Sequence, residues 1–328
     1  MKQSTLFAAL LLAASVTVGK ATADETIIRA ITALPANNEI TRRFQAFASQ
    51  VNEAGVGVVQ IQVIGGPEAI PAAQQDTALR NGVVDMQAGP SGNYSGIVPE
   101  ANALQGATVS ATEARANGAF DLLNEAWNAK LDAELIGWIG NGLQYHVFLT
   151  REPAFSDEGD LDLTGFNLRS VPTYRDWFDA LGAHNVMLDQ SEIYTALERG
   201  VVDGFGWIAI AEDLGVYELL HSRVGPAVWQ ANTVVMMNKA AWDGLSPDAQ
   251  QIIRDAAIAT EDANTGHFAE IAEREEAALE AAGVNLVTLE GEAGLRHIQK
   301  ANGVVWAALE SADAASAERL RPLLDPAN

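Results

Sequence analysis

Residues 163–204 read LTGFNLRSVPTYRDWFDALGAHNVMLDQSEIYTALERGVVDG, and the order of elements in this stretch decides the fold. A short strand over 166–169 ends at a lone arginine, Arg169. Pro172 suits a first helical turn, where its missing N–H would have had no partner. Tyr174, Trp177, Phe178 and Leu181 then fall at i, i+3, i+4 and i+7, one apolar helical face, and Gly182 is placed to end the helix. A second strand spans 185–188. Ser191 is a candidate cap for a further helix in which Ile193, Ala196 and Leu197 share a face. Gly200 closes it, and Val201-Val202-Asp203-Gly204 leads into another strand. Strand, helix, strand, helix, strand implies a parallel or mixed sheet covered by helices.

The same grammar extends in both directions. Upstream, 26–32 reads as a strand, and 40–51 as a helix through Phe44, Phe47 and Val51. A β-branched strand over 58–64 ends at Gly65-Gly66-Pro67. A helix over 72–81 and a strand over 83–87 follow, the latter ending at Gly89-Pro90-Ser91-Gly92. Ligands of such folds bind beyond the carboxyl ends of the strands, so the loops 35–39, 65–70 and 89–94 are expected to face a ligand. Downstream, a second α/β unit runs from about 150 to 230, and 233–238 reads as a strand. Residues 246–281 are helical and acid-rich, with Pro247 at the start. A short strand over 285–289 and a closing helix finish the chain. No internal repeat or low-complexity linker interrupts it.

Composition narrows the function classes. The first 23 residues have the form of a secretory signal: Lys2, an apolar run over 6–18, and Ala21-Thr22-Ala23 as a cleavage pattern before Asp24. The run is shorter than the about 20 apolar residues that cross a bilayer, and no cysteine follows it to carry a lipid. Removal of Lys2 and Lys20 with the leader leaves 18 basic against 43 acidic residues, a charge near −25. That argues against nucleic acid and anionic membrane surfaces as partners. A small anion is still compatible, because charges are screened beyond about 8 Å at physiological salt and a local arginine outweighs remote carboxylates. With no cysteine in the chain, neither disulfides nor thiolate chemistry contribute.

Signals of enzymatic chemistry are lacking. His146, His184, His221, His267 and His297 form no close metal-ligand pair, and no nucleophile elbow, phosphate-binding loop or dinucleotide fingerprint occurs. Arg169 itself has two readings. At a strand end facing a helix N-terminus, a guanidinium makes a planar two-bond fork for a carboxylate. In the same place it could serve a structural ion pair.

Several motifs in register tip that balance. They are Leu163-Thr164-Gly165 with Leu168-Arg169, Leu181-Gly182-Ala183, Ser191-Glu192-Ile193-Tyr194-Thr195-Ala196-Leu197 and Gly200-Val201-Val202-Asp203-Gly204. Upstream stand Gly65-Gly66-Pro67-Glu68 and Leu79-Arg80-Asn81-Gly82-Val83-Val84-Asp85-Met86. Downstream stands Met237-Asn238-Lys239-Ala240-Ala241-Trp242-Asp243-Gly244-Leu245-Ser246. Together they make nearly all of the chain after the leader resemble the solute-binding proteins of TRAP transporters, the DctP-like family. The resemblance implies a two-domain α/β periplasmic solute-binding protein with a central cleft, crossover strands and a long interdomain helix. It implies one domain from 24–148 plus about 233–275, and a second from 149–232 plus about 276–328. It also implies that Arg169 binds a substrate carboxylate, and that small and large membrane subunits, driven by an ion gradient, are the partners. No nucleotide, metal or other cofactor is expected.

Departures from the family pattern bear on the ligand. Many relatives carry an asparagine where this chain has Trp207, in Gly204-Phe205-Gly206-Trp207-Ile208. Some place a second arginine near Tyr145, and this chain has none there. One cation with a tryptophan and a tyrosine favours a monocarboxylate with an apolar or aromatic body. Trp229 and Asn232 fall where relatives carry pocket-lining groups. Glu68 is either a solvated loop carboxylate or a contact to a ligand hydroxyl or amine, and Tyr94 is a candidate ring or lid contact. Glu192 and Asp203 read as structural, at a helix start and a turn. The expected site is therefore Arg169, Trp207, Tyr145, Trp229, Asn232, Glu68 and Tyr94. Other carboxylate classes (sugar acids, 2-oxo acids, dicarboxylates) and a sensor feeding a chemoreceptor stay open as alternatives.

Overall fold

A computed structural model describes residues 25–326, so the expected leader, 1–23, lies outside the described residues. The chain opens with β1 (Thr26–Thr32), α1 (Glu39–Ala54), β2 (Val59–Gly65), α2 (Gln75–Arg80) and β3 (Met86–Pro90). Three helices follow, α3 (Ala101–Gln105), α4 (Ala111–Ala116) and α5 (Ala119–Leu131), and then β4 (Ala133–Gly137). The middle holds β5 (Gln144–Leu149), a small hairpin of β6 (Ala154–Phe155) and β7 (Leu161–Asp162), then β8 (Asn167–Ser170), α6 (Pro172–Ala180), β9 (His184–Met187), α7 (Ile193–Glu198), β10 (Gly204–Ile208) and β11 (Ser222–Gln230). The chain ends with β12 (Thr233–Asn238), α8 (Lys239–Asp243), α9 (Pro247–Ala281), β13 (Asn285–Thr288), α10 (Gly291–Ala312) and α11 (Ala314–Leu324).

The strands form two mixed sheets. The first has the order β2-β1-β3-β12-β4, and the second β13-β11-β5-β10-β8-β9. In the first, β1 runs parallel to β2 and β3, while β12 is antiparallel to β3 and β4. In the second, β8 lies parallel to β9 and β10, and β5 runs antiparallel between β10 and β11. This is the α/β architecture that the element order implied.

Local chemistry explains the elements that frame the space between the sheets. Asn38 caps α1 by accepting from the Ile40 N–H at 2.9 Å, and Phe44, Phe47 and Val51 bury one face of that helix completely. Ser246 caps α9, accepting from Ala249 N–H, with Pro247 next to it. At 35 residues α9 is about 52 Å long at 1.5 Å per residue. It packs against α1, α4 and β4 on one side and against β13 of the other sheet, so it joins the two units.

Four details differ from the sequence reading. The third strand begins at Met86 rather than at 83, because the N–H groups of Val83 and Val84 turn back to the Ala78 carbonyl. Residues 144–149 pair with β10 and β11 of the second sheet, although 24–148 was assigned to the first unit. The closing helix is two helices broken at Asp313, whose carboxylate caps α11 by accepting from Ser316 N–H. Of these, α11 packs against α3 and α5, on the first unit's side, although 276–328 was assigned to the second.

Candidate functional site

A cleft of about 860 Å³ opens between the two sheets, at the carboxyl ends of β1, β2 and β3 on one side and of β8, β9 and β10 on the other. Bonds cross between its walls. Gln105 Nε2 donates to the Thr173 carbonyl at 3.0 Å. The Asp213 carboxylate accepts from the Glu39 N–H at 2.8 Å and from Arg42 Nη2 at 3.1 Å.

Arg169 sits at the end of β8, immediately before α6, and is 3% exposed. Its Nε donates to the Leu188 carbonyl at 2.9 Å, which aims the guanidinium. Among the described residues no carboxylate lies within 4 Å of it, and its buried Nη1 has no hydrogen-bond partner. Burial pulls its pKa below the usual arginine value, and the fields of Tyr174, Asp189 and Glu192 oppose that shift. A buried guanidinium without a counter-ion is costly unless a ligand supplies one.

Trp207 stands beside it on β10, 6% exposed, with its ring centroid 5.7 Å from the guanidinium carbon and its Nε1 lacking a partner. Gly206 explains how α6 reaches this wall. A Cβ there would meet Phe178 Cζ at 2.9 Å and Tyr174 Cδ1 at 3.3 Å, so only glycine lets the helix lie so close to the strand. Tyr145 on β5 also lines the cleft, edge-on to Tyr174 with centroids 5.5 Å apart. Burial drives the phenol pKa of Tyr145 well up, and that of Tyr174 up as well, so both present neutral hydroxyls.

The facing wall carries Glu68 and Tyr94. Glu68 Oε1 accepts from the Gly66 N–H at 2.7 Å within its own loop. Tyr94 is 2% exposed, and its hydroxyl has no partner. The cleft thus brings together Arg169, Trp207, Tyr145, Glu68 and Tyr94. Trp229 and Asn232 are not among its lining residues. Trp229 has φ 49°, which turns its ring onto Trp177 at 4.9 Å, behind Tyr145. Asn232 is fully buried: its Nδ2 donates to Gln105 Oε1 at 3.3 Å, and its carbonyl accepts from the Ser91 N–H.

Several lining residues were missed in the sequence, among them Thr173, Tyr174 and Asp76. These three lie in the first turn or two of a helix that follows a strand or loop at the cleft. That position was the available signal, but Tyr174 also fits the helix's apolar stripe and was read only as core. The entry to α7 is likewise made by Asp189 and Glu192 as a reciprocal cap, in place of Ser191. Asp203 ties strands together, accepting from Asn167 N–H at 2.8 Å and Arg151 Nε at 3.2 Å. No histidine lines the cleft, and no group of three or more His, Asp or Glu placed to hold a metal occurs among the described residues.

Comparison with known proteins agrees with this architecture. The family described as bacterial extracellular solute-binding protein, family 7 (DctP) matches residues 31–312. The ectoine-binding periplasmic protein of Halomonas elongata is 30% identical over 131 residues, 39% of this chain and 37% of that protein. The 2,3-diketo-L-gulonate-binding periplasmic protein of Escherichia coli is 26% identical over 194 residues, 55% of this chain and 56% of that one. The chain's matches thus span less than two thirds of the length of these curated relatives. A TRAP transporter solute-binding protein from Bordetella bronchiseptica, solved with calcium and picolinate in one site, superposes with TM-score 0.77. It is 20% identical, with 93% of this chain and 92% of that chain covered.

Proposed function

Because this chain belongs to the bacterial extracellular solute-binding proteins of family 7, we propose that it is the exported, periplasmic receptor of a TRAP transporter. It captures one small organic acid and hands it to the small and large membrane subunits. The observation that carries this reading is Arg169: buried, without an ion pair, with one nitrogen unpartnered, in the wall of the cleft. A ligand carboxylate would meet that nitrogen and supply the missing counter-charge.

The two units around the sheets act as the jaws, with α9 and the strand-to-strand crossings 138–143 and 231–232 between them. Closure would bury the ligand and form the surface that the membrane subunits read. Trp207, Tyr145 and Tyr174 would shape the space beside the carboxylate and favour a monocarboxylate with a ring or an apolar body. No chemical step on the ligand is assigned.

The direct test is a thermal-shift screen of residues 24–328 against dicarboxylates, sugar acids, 2-oxo acids and aromatic and alicyclic monocarboxylates, with and without calcium, repeated with Arg169→Ala. A ligand of the folded state alone raises the melting temperature. The reading expects stabilisation by at least one acid that vanishes in the variant. Stabilisation by no acid, with ligand-free protein verified by mass spectrometry, would overturn it.

A further inference from the structure

The second-sheet wall of the cleft holds a buried cation, the Arg169 guanidinium, with the Trp207 Nε1–H and the Tyr145 and Tyr174 hydroxyls as further donors and the unpartnered Gln190 Oε1 as an acceptor beside them. Asp189 and Glu192 lie on that side too, but they are exposed rim residues engaged in capping each other's backbone N–H. The first-sheet wall presents the carboxylates of Glu68 and Asp76, which accept, and the Tyr94 hydroxyl, which can donate or accept. Glu68 is exposed as well and accepts from the Gly66 N–H through Oε1 alone, while Asp76 is half-buried. Asp76 meets only the hydroxyl of its neighbour Thr77, at 3.4 Å. Among the described residues no arginine or lysine pairs with either carboxylate. On the same wall Tyr94 is more than nine-tenths buried, with its hydroxyl unpartnered. Burial, with the field of Asp76 added, holds its phenol neutral.

An anion bound at Arg169 would point its other end at two carboxylates. A second carboxylate there is repelled, and an acceptor-only group could take the Tyr94 O–H but leaves both acids unmatched. A positively charged nitrogen resolves all three: its N–H groups donate to Glu68, Asp76 and the Tyr94 oxygen. We propose that the ligand is a zwitterion, an organic acid whose cationic nitrogen faces Glu68, Asp76 and Tyr94 while its carboxylate faces Arg169. This deepens the organic-acid reading and rests on it.

The test is calorimetric titration of three six-membered-ring acids that differ at one ring atom: pipecolate (cationic N–H), tetrahydropyran-2-carboxylate (ether oxygen) and cyclohexanecarboxylate (methylene). Titration of the cyclic amidinium acid ectoine and of glucuronate, which offers hydroxyl donors, completes the set. Cationic acids are expected to bind at least tenfold tighter than the ether, methylene and hydroxyl acids. In a Glu68→Gln/Asp76→Asn double variant that ratio should collapse towards one. Acids that bind through Arg169 with no preference for the cationic members would overturn the zwitterion and leave the organic-acid reading standing. So would a preference that survives the double variant. Tighter binding of the nitrogen-free acids on adding calcium, lost in the double variant, would make this wall a cation site and also overturn it. Failure of every acid to bind would remove both.

Discussion

The guanidinium carbon of Arg169 lies 5.7 Å from the ring centroid of Trp207, and neither Arg169 Nη1 nor Trp207 Nε1 has a hydrogen-bond partner. The pair lies across two parallel strands, where β8 and β10 run side by side with Arg169 opposite Phe205. A cation held beside an indole, with Nη1 unspent, is suited to a carboxylate that arrives from the cleft.

Arg169→Ala is expected to weaken the best acid by at least ~2 kcal/mol, the worth of a charge-assisted pair. The melting temperature of the ligand-free protein should change little, since the lost Nε bond to the Leu188 carbonyl is offset by removal of a buried guanidinium without a counter-ion. Calorimetry and a thermal melt read both. A lower ligand-free melting temperature with unchanged affinity would make Arg169 a structural residue.

Trp207→Asn should weaken ring-bearing acids more than small aliphatic ones, by about 1 kcal/mol or more, because the stacking face is lost while an amide donor is kept. Titrating benzoate and propionate against both proteins measures the difference. Equal losses for the two acids would remove the ring preference.

Gly92 on one wall faces Thr173 on the other. A Cβ at position 92 would stand 2.8 Å from Thr173 Oγ1 and 3.3 Å from Asn232 Nδ2. Gly92→Ala should therefore hold the jaws apart and cost about 1–3 kcal/mol of ligand affinity, as over-packing does. A larger ligand-free radius of gyration by solution scattering would accompany it. Wild-type affinity in this variant would show that the walls close without that contact.

His146 and His297 are buried, and burial holds their pKa values down to about 3 and about 4. Above pH 6.5 both are neutral in the folded and unfolded chain, and their contribution is complete. As pH falls from 6.5 towards 4 the unfolded chain takes up protons that the folded chain refuses, so stability drops. Between pH 7 and 5 the loss should be up to about 2 kcal/mol per imidazole. Urea unfolding at the two pH values, for wild type and His146→Asn/His297→Asn, tests this. The double variant should lose less on acidification; an equal loss would assign the acid sensitivity to carboxylates.

The sequence by itself determined the element order, the strand end that carries Arg169, and the helix bounds at Pro172, Gly182, Pro247 and Gly200. These depend on near neighbours: apolar spacing, a proline ring in a first turn, a glycine at positive φ. The bounds of β1 and β12 were legible for the same reason. What a side chain meets across the fold was not. Tyr174 belongs to an apolar stripe and also to the cleft, and periodicity records only the stripe. Trp229 and Asn232 sit next to the cleft in sequence, yet a left-handed residue and a bond to Gln105 turn them away from it. The pairing of β5 with the second sheet, the packing of α11 on the first unit, and the wall of Glu68, Asp76 and Tyr94 come from residues far apart in the chain. Only tertiary packing brings those together, because burial and charge pairing are decided by what lies opposite rather than by what lies adjacent.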